Sequence, residues 1–176
     1  MSATISLTDS DVFTALRTFL TSILLAGTEV VQGQDNRVPM PIGDFVTMTA
    51  KSNSRIELNH TVYTDPGTNP GSEAYVTPSE FVVQLDFYGT NSAQNAKITE
   101  SLFRSQSALD SFSNTNIKPL YADNLVQIPL INGEEQYEQR WKVDAHIQYN
   151  PAVTMPQDFA ASLVIDVISV EATYPL

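Results

Sequence analysis

The chain has 176 residues, of which 42% are hydrophobic and 16% are charged, a balance typical of a single folded domain spanning residues 1–176. Nine basic residues against twenty acidic ones give a formal net charge of −11, which argues against binding to nucleic-acid phosphates or to an anionic membrane surface. The lack of cysteine excludes a disulfide framework and a cysteine-liganded zinc site, and it is typical of a protein made in a reducing cytoplasm.

The first predicted element is an amphipathic helix. Thr8 and Asp11 have the spacing of a helix-capping pair, and apolar residues recur at helical intervals until Gly27. These apolar residues are Val12, Phe13, Leu16, Phe19, Leu20, Ile23 and Leu24. Such a stripe can cover a sheet of the same chain or pack into a neighbouring subunit, and core packing is the simpler interpretation. Because Arg17 interrupts the apolar run, we predict neither a signal peptide nor a membrane span.

Short strands separated by turn-forming residues follow the helix. Prolines argue against a helix or a regular sheet ladder over Asp35–Asp44, and Ser52–Ser54 is predicted to be a turn between two strands. The predicted strands are Glu29–Gln32, Phe45–Lys51 and Arg55–Thr64. Thr64–Pro78 contains three prolines and two glycines and is predicted to be a long loop. Loops of this length often carry functional contacts.

The segment QLDFYGT, Gln84–Thr90, is a strand that stops at a glycine and leads into a helix. Apolar residues alternate through Glu80–Tyr88, which is the period of a strand with one fully apolar face. Asn91 or Ser92 is placed to accept the free amide hydrogens of a helix predicted over Ser92–Phe112. The helical residues predicted to share one side are Ile98, Leu102 and Leu109, with Phe103 and Phe112 beside them.

A loop through Pro119 and Pro129 is predicted to lead to two long strands. In Tyr137–Tyr149 the apolar residues, Trp141 included, share one face and the charged residues share the other, as in a sheet that is wet or meets a polar partner on one side. Phe159–Thr173 is apolar on both faces and is therefore predicted to be central in the sheet or buried by another subunit.

The order of these elements predicts the fold class. About eight residues join the last two strands, around the two prolines at 151 and 156, and so short a link favours an antiparallel hairpin. We therefore predict an α+β fold, a mainly antiparallel β-sheet with two α-helices packed on one face.

The sequence carries no recognisable catalytic, cofactor or metal motif. The histidines, His60 and His146, are far apart and lack acidic residues at metal-ligand spacing. There is no G-x-S-x-G elbow, P-loop or dinucleotide fingerprint. We therefore predict that the chain is not an enzyme and binds no cofactor and no metal.

Acidic residues near the long strands have two interpretations. They could form a carboxylate pair for acid–base catalysis in an uncharacterised hydrolase, or a charged strand face that Arg140 and Lys142 partly neutralise. The residues concerned are Glu134, Glu135, Glu138 and Asp144. The charged face is the simpler interpretation. Asp86 is predicted to be structural and to pair with Arg104 or Arg140.

Several segments, in order along the chain, resemble the neck and tail-terminator family of tailed bacteriophages. They are VVQGQDNRVPMPIGDFVTM, QLDFYGT, the arginine-bearing ITESLFRSQSALDSF, KPLYADNLVQIPLINGEEQYEQRWKVDAHIQYNP and the terminal QDFAASLVIDVISVEATYPL. The resemblance covers residues 30–176, whereas residues 1–29 carry no motif of this family. The persuasive feature is the ordered series, because no one segment is diagnostic by itself.

The resemblance implies a virion structural protein of the tail and neck, made in the cytoplasm of the bacterial host. Family members form a ring, commonly of six subunits, that caps the tail tube and joins it to the head connector. The implied partners are therefore further copies of the chain, the tail tube protein, connector and neck proteins, and a sheath if the tail is contractile. The genome would pass through the bore without sequence-specific binding, and no membrane is involved. Another neck or head-completion adaptor is the alternative.

Seven residues are candidates for subunit contacts. Arginine can bind a carboxylate or backbone carbonyls with a planar fork, which suits a subunit joint as well as it suits an intrachain pair. Long and proline-rich loops can reach neighbouring subunits. The candidates are Arg37, Pro39, Pro41, Asp65, Tyr75, Arg104 and Arg140.

Overall fold

The structure is a computed structural model that describes residues 2–34, 39, 41–113, 115–131, 137–160 and 165. Three helices lie at Asp9–Ile23 (α1), Ser92–Leu102 (α2) and Gln106–Ser111 (α3). The strands of the first half are Thr4–Ile5 (β1), Glu29–Gln32 (β2), Phe45–Arg55 (β3), His60–Thr64 (β4), Gly71–Val76 (β5) and Ser79–Tyr88 (β6). Those of the second half are Ile117–Ala122 (β7), Val126–Gln127 (β8), Leu130–Ile131 (β9), Tyr137–Glu138 (β10), Arg140–Tyr149 (β11) and Ala152–Gln157 (β12).

The larger sheet has the strand order β2-β3-β6-β11-β7, with β8 also paired to β11. All neighbours are antiparallel except β2 and β3. Residues that share one face of this sheet, such as Met48, Leu85 and Val143, lie side by side in the register and belong to one core cluster with residues of all three helices. The helices therefore cover one face, which confirms the predicted α+β class.

The core between helices and sheet is built largely from phenylalanine. The Phe19 ring of α1 packs against Phe103 and Phe112 at centroid distances of 5.8 and 5.7 Å. Phe81 and Phe87 reach this core from β6, and all five side chains are at most 2% exposed. Aromatic side chains supply large buried areas, so this cluster ties α1 and the α2–α3 segment to the sheet.

The first helix begins as predicted. The Asp11 carboxylate accepts hydrogen bonds from the Thr8 backbone N–H at 2.7 Å and from the Thr8 hydroxyl at 2.8 Å. The helix ends at Ile23, before the predicted stop at Gly27, which lies in the following turn with φ +90°. A positive φ favours glycine, so this residue shapes the turn and does not terminate the helix itself.

The predicted turn at Ser52–Ser54 is wrong. Strand β3 continues through it to Arg55, paired with β6 along its whole length, with a register shift at Lys51. The Asn53 side chain donates a hydrogen bond to the Tyr149 hydroxyl of β11. Pairing with a long neighbouring strand satisfies the backbone here and outweighs the turn preference of serine and asparagine. The next strand accordingly starts at His60 and not at Arg55.

The predicted long loop Thr64–Pro78 contains strand β5, Gly71–Val76, so that prediction is also wrong. This strand pairs with β4 on one side and with β12 on the other. With β1 they form a second, four-stranded sheet of order β1-β12-β5-β4, which we call the small sheet. Strands β1 and β12 lie far in sequence from β4 and β5, so local composition gave no sign of this sheet.

The single helix predicted over Ser92–Phe112 is in fact two helices. Ser105 interrupts it, and its hydroxyl accepts a hydrogen bond from the Ala108 N–H at 3.4 Å. Phe103 and Phe112 are nine positions apart, so one straight helix would place them about 180° apart around its axis. The break lets both rings enter the same core. The predicted apolar side is wrong as well, because Leu109 is 43% exposed.

The sheet-facing side of α2 is small and polar where the sequence suggested apolar residues. The buried residues of this helix are Ser92, Asn95, Ala96 and Thr99. The Asn95 side chain accepts a hydrogen bond from the Leu25 N–H at 3.2 Å and donates one to the Thr28 hydroxyl at 3.0 Å. Buried polar groups are tolerated when they are hydrogen-bonded in this way, and here they join α2 to the turn after α1.

The predicted loop through Pro119 includes strand β7, which lies at the edge of the larger sheet. An edge strand tolerates proline because its outer side makes no ladder hydrogen bonds. The predicted hairpin after Tyr149 is wrong, since the next strand is β12, which belongs to the small sheet. The predicted final strand Phe159–Thr173 falls mostly outside the described residues.

The turn after β6 depends on Gly89. This residue has φ +94°, and a Cβ added to it would lie 2.2 Å from the Asp44 Oδ1 atom and 2.9 Å from the Gly43 carbonyl oxygen. Asp44 also accepts hydrogen bonds from the Asn91 N–H at 3.0 Å and from its side-chain amide at 2.6 Å. The predicted capping by Asn91 or Ser92 is wrong, because neither the side chain of Asn91, which is the N-cap residue, nor the Ser92 hydroxyl accepts an amide hydrogen of the helix.

Gly89→Ala is expected to lower the free energy of unfolding by more than the roughly 1–2 kcal/mol that a positive φ alone costs a residue with a Cβ. The excess arises because the backbone of the Gly43–Asp44 turn must move. Gly67→Ala is the matched control, since Gly67 has φ +77° and open space around its missing Cβ. Urea unfolding of both variants measures the difference, and equal losses would contradict the role of the close approach.

Candidate functional site

The face of the larger sheet that lies away from the helices carries ion pairs between neighbouring strands. Arg140 on β11 contacts the Asp86 carboxylate on β6 through both Nε and Nη2 at 3.0 Å. Gln84 donates a hydrogen bond to the second oxygen of Asp86 at 2.7 Å. Asp86 is only 3% exposed. The predicted pairing of Asp86 with an arginine is confirmed, and the partner is Arg140 and not Arg104.

Two lysines hold a second buried carboxylate on the same face. Asp144 Oδ2 lies 2.6 Å from the Lys51 Nζ atom and 3.0 Å from the Lys142 Nζ atom. Burial by itself would raise the pKa of Asp144, but hydrogen bonds and charge from the two lysines outweigh it and hold the pKa below its ordinary value. The predicted neutralisation of this strand face by Lys142 is present, and Lys51 joins it from the bulge in β3.

Because its pKa is lowered in the folded chain, the Asp144 carboxylate stabilises the fold at neutral pH and ceases to do so in acid. A carboxylate whose pKa is depressed by folding contributes stability that is complete above the unfolded value of about 3.9 and is lost as the pH falls through the folded value. Lys142→Met is expected to raise the pKa of Asp144, measured by NMR titration of its carboxyl carbon. Lys118→Met, on β7 and without an ion pair to Asp144, should leave that pKa unchanged. Equal shifts in the two variants would contradict the pairing.

His146 lies on the same face of the larger sheet, near the edge formed by β7. The two ring nitrogens of His146 face the Glu80 carboxylate at 2.7 Å and the Asp123 carboxylate at 3.4 Å. The ring stacks on Tyr121 at a centroid distance of 4.1 Å. The Arg104 guanidinium lies over the Tyr121 ring, 5.6 Å from its centre. The fold thus brings acidic residues to His146 that sequence spacing did not reveal.

One end of the same face forms an open groove with an aromatic floor. Phe45, Tyr88 and Arg140 are direct neighbours on three adjacent strands. The first two rings stack at 4.7 Å, and the guanidinium lies 5.8 Å from the centre of the Tyr88 ring. The groove has a volume of about 470 Å³ and is walled by Pro41 and by the turn at Gly89.

The small sheet exposes apolar and tyrosine side chains on one of its faces. Register places Ile5, Tyr63, Tyr75, Val153 and Met155 on this face, together with Glu73. Tyr63 is 63% exposed and Ile5 is 57% exposed. Hydrogen bonds to the Glu73 carboxylate raise the pKa of both tyrosine hydroxyls, Tyr63 and Tyr75, above the ordinary value. Exposed apolar faces of this kind often mark protein contacts.

The predicted contact residues fall into three regions. Pro41 lines the aromatic groove, Arg140 lies over the Tyr88 ring of the same groove, and the exposed Pro39 precedes Pro41 in the chain. Tyr75 lies on the small sheet, and Asp65, in the loop after β4, accepts a hydrogen bond from the Gly67 N–H at 2.8 Å.

Arg104 is elsewhere, at the junction of α2 and α3, where it donates a hydrogen bond to the Ala122 carbonyl at 2.9 Å. The remaining candidate, Arg37, lies outside the described residues.

Sequence reasoning missed Lys51, Tyr63 and Glu73. Lys51 was assigned to the end of a strand, and Glu73 to a loop. The alternation of Glu73 and Tyr75 in β5 was the available signal, but the surrounding prolines and glycines obscured it. Across the ranges that the structure describes, no group of acidic and histidine side chains is able to hold a metal ion. None of the helices in those ranges has the length and apolar character needed to cross a membrane.

The described surface thus includes an exposed apolar sheet face and strand edges, features that often mark the contacts of a structural assembly subunit. A family model described as phage neck terminator protein matches residues 10–174. The chain belongs to this family, and its role is that of a tail-terminator structural protein. The match also includes α1, for which the sequence had offered no motif.

A solved structure supports the fold. The chain is similar to the sheath/tube terminator of an extracellular contractile injection system, PVC, determined by cryo-electron microscopy in its extended state. The TM-score is 0.52 at 12% sequence identity, and the alignment covers 97% of this chain and 66% of that chain. At this identity the likeness concerns the fold. A search of curated proteins gives no match.

Proposed function

We propose that six copies of this chain form a ring that closes the head-proximal end of the tail tube and joins it to the head connector. The ring is part of the virion and is made in the cytoplasm of the bacterial host. The tail tube protein and the neck proteins are its partners, together with the sheath if the tail is contractile. The family match over residues 10–174 carries this proposal.

The mechanism is geometric and requires no reaction at a catalytic centre. Contacts between unlike surfaces of identical subunits produce a closed ring when the rotation between them closes. One face of such a ring binds the last layer of the tube, and the other face, being different, offers no site for another layer. Tube growth then stops because the next contact is missing.

Two features of the chain support this role. The larger sheet gives each subunit a rigid body, and the ion-paired face and aromatic groove present polar and aromatic groups for contacts with neighbours. The net charge of −11 disfavours adhesion of DNA to a bore lined by the protein. Replacing bore carboxylates by lysine is therefore expected to slow passage of the genome.

A phage that lacks this protein tests the proposal directly. Electron microscopy of the lysate should show tails of uncontrolled length and heads without tails, and expression of the chain from a plasmid should restore joined virions. Gold-labelled antibody should mark one end of isolated tails. Label on tailless heads would instead support a head-completion adaptor, and normal virions in the absence of the protein would overturn both assignments.

A further inference from the structure

Within the described part of the chain, the small sheet ends in two open edges. Its strand order is β1-β12-β5-β4, so β1 and β4 each pair with a strand on one side only among the described residues. Every neighbouring pair in this sheet is antiparallel. All residues of β4, His60–Thr64, are exposed, as are both residues of β1. Unpaired edges of this kind are templates for pairing with another chain.

We propose that the edge of β4 in one copy pairs with the edge of β1 in the next copy, so that the small sheets form a continuous belt around the ring. This inference rests on the ring of the proposed function and identifies the surface on which its subunits meet. The occupant of each edge is a second copy of this chain.

Strand direction supports head-to-tail pairing of copies. In a four-stranded antiparallel sheet the two outer strands run in opposite directions. A copy added beside the first in the same orientation therefore brings its β1 antiparallel to the neighbouring β4. The joint then repeats the pairing found inside the sheet. Pairing of unlike edges is also heterologous, which is the type of contact that generates rings.

The edge strands β7 and β4 differ in how they are protected. Natural edge strands usually carry lysine, proline or other devices that prevent pairing with another chain. The edge strand β7 of the larger sheet contains both, as Lys118 and Pro119. The other edge strand of that sheet, β2, has the sequence EVVQ and carries one charged residue, Glu29. By contrast, β4 has the sequence HTVYT, with no proline and no lysine, arginine or carboxylate. The contrast indicates that β7 is guarded against strand addition and that β4 is left available for it.

The side chains at the two edges are complementary. Ile5 and Tyr63 lie on the same face of the small sheet, at opposite edges. In a continuous belt whose register opposes Ile5 to Tyr63, these two side chains come from different copies and meet across the joint. Pairs of an aromatic and a β-branched residue stabilise neighbouring strands. Their contact would also cover two of the most exposed apolar side chains of this face.

Pairs of introduced cysteines test the joint residue by residue. The natural chain contains no cysteine, so any disulfide must come from the introduced pair. Directly opposed residues of paired strands share a face, and a shift of one residue reverses the face. Ile5→Cys combined with Tyr63→Cys or with Thr61→Cys is expected to give disulfide-linked multimers on oxidation of assembled rings. Ile5→Cys combined with Val62→Cys should give monomers, because Val62 lies on the opposite face.

The outcomes separate the two proposals. Rings visible by negative stain that form no disulfide in any pair would overturn the edge joint and leave the ring intact. Failure of the natural chain to form rings on tails would overturn the proposed function itself. If the pairs on the same face and the pair on opposite faces gave the same yield of disulfide, the contacts would be random, and this result would also overturn the joint.

A charge placed at the edge provides a second test. Val62→Lys is expected to abolish ring formation, because a lysine on an edge strand prevents pairing with another chain. The circular dichroism spectrum of the monomer should stay unchanged, since β4 is exposed. Ser107→Lys, on the exposed side of α3, adds the same charge away from the edge and should assemble normally. Normal rings from Val62→Lys would contradict the proposal.

Discussion

Phe112→Ala is expected to lower the free energy of unfolding by about 3–5 kcal/mol, the usual cost of removing a buried phenylalanine ring. Phe112 is fully buried and packs against Phe19 at 5.7 Å and Phe103 at 6.5 Å. The loss is large compared with the roughly 5–15 kcal/mol that stabilises a typical domain. Urea unfolding followed by circular dichroism measures it.

Leu109→Ala is the matched control on the same short helix. Leu109 is 43% exposed, so its truncation is expected to cost no more than about 0.5 kcal/mol. A straight helix over residues 92–112 would instead place Leu109 on the apolar side. Similar losses for the two variants would therefore contradict the break at Ser105 and favour one continuous helix.

Arg140→Ala is expected to cost a similar amount, about 3–5 kcal/mol, for a different reason. The substitution removes the cation from Asp86, whose side chain is only 5% exposed, and leaves a buried carboxylate without its partner. Lys97→Ala is the control. It removes an exposed ion pair to Glu100, which contributes about 0–1 kcal/mol. Thermal and urea unfolding of both variants provide the comparison.

A double variant separates the stability role of Arg140 from its predicted role in subunit contacts. Asp86→Leu with Arg140→Met removes both charges, and replacing a buried ion pair by apolar residues is often neutral or stabilising. The double variant is therefore expected to fold about as stably as the natural chain. If it folds and forms no rings, Arg140 acts in assembly. If it forms normal rings, Arg140 serves only the fold of its own subunit.

Features that depend on neighbouring residues in the chain were predictable from sequence. The capping pair Thr8 and Asp11 lies within one helical turn, and the alternation in β6 and β11 is visible in the residues themselves. The same periodicity showed that one face of the larger sheet is polar. The ordered segments also identified the family, which the match over residues 10–174 confirms.

Features that depend on distant segments were not predictable in this way. Strand β5 lies among prolines and glycines, and it becomes a strand because the distant β12 pairs with it on one side, as the nearby β4 does on the other. The turn-prone Ser52–Ser54 is held extended by β6 in the same manner. In both cases the energy of pairing with another strand exceeds a weak local preference.

The sequence by itself therefore determined the family, the α+β class and the location of its most regular helix and strands, because helix caps and hydrophobic periods are local properties of the chain. Only the tertiary structure decided where α2 ends, which strands form the small sheet and which strands lie at its edges among the described residues. Those outcomes depend on burying two phenylalanines in one core and on pairing strands far apart in sequence, and neither condition is expressed in any short segment.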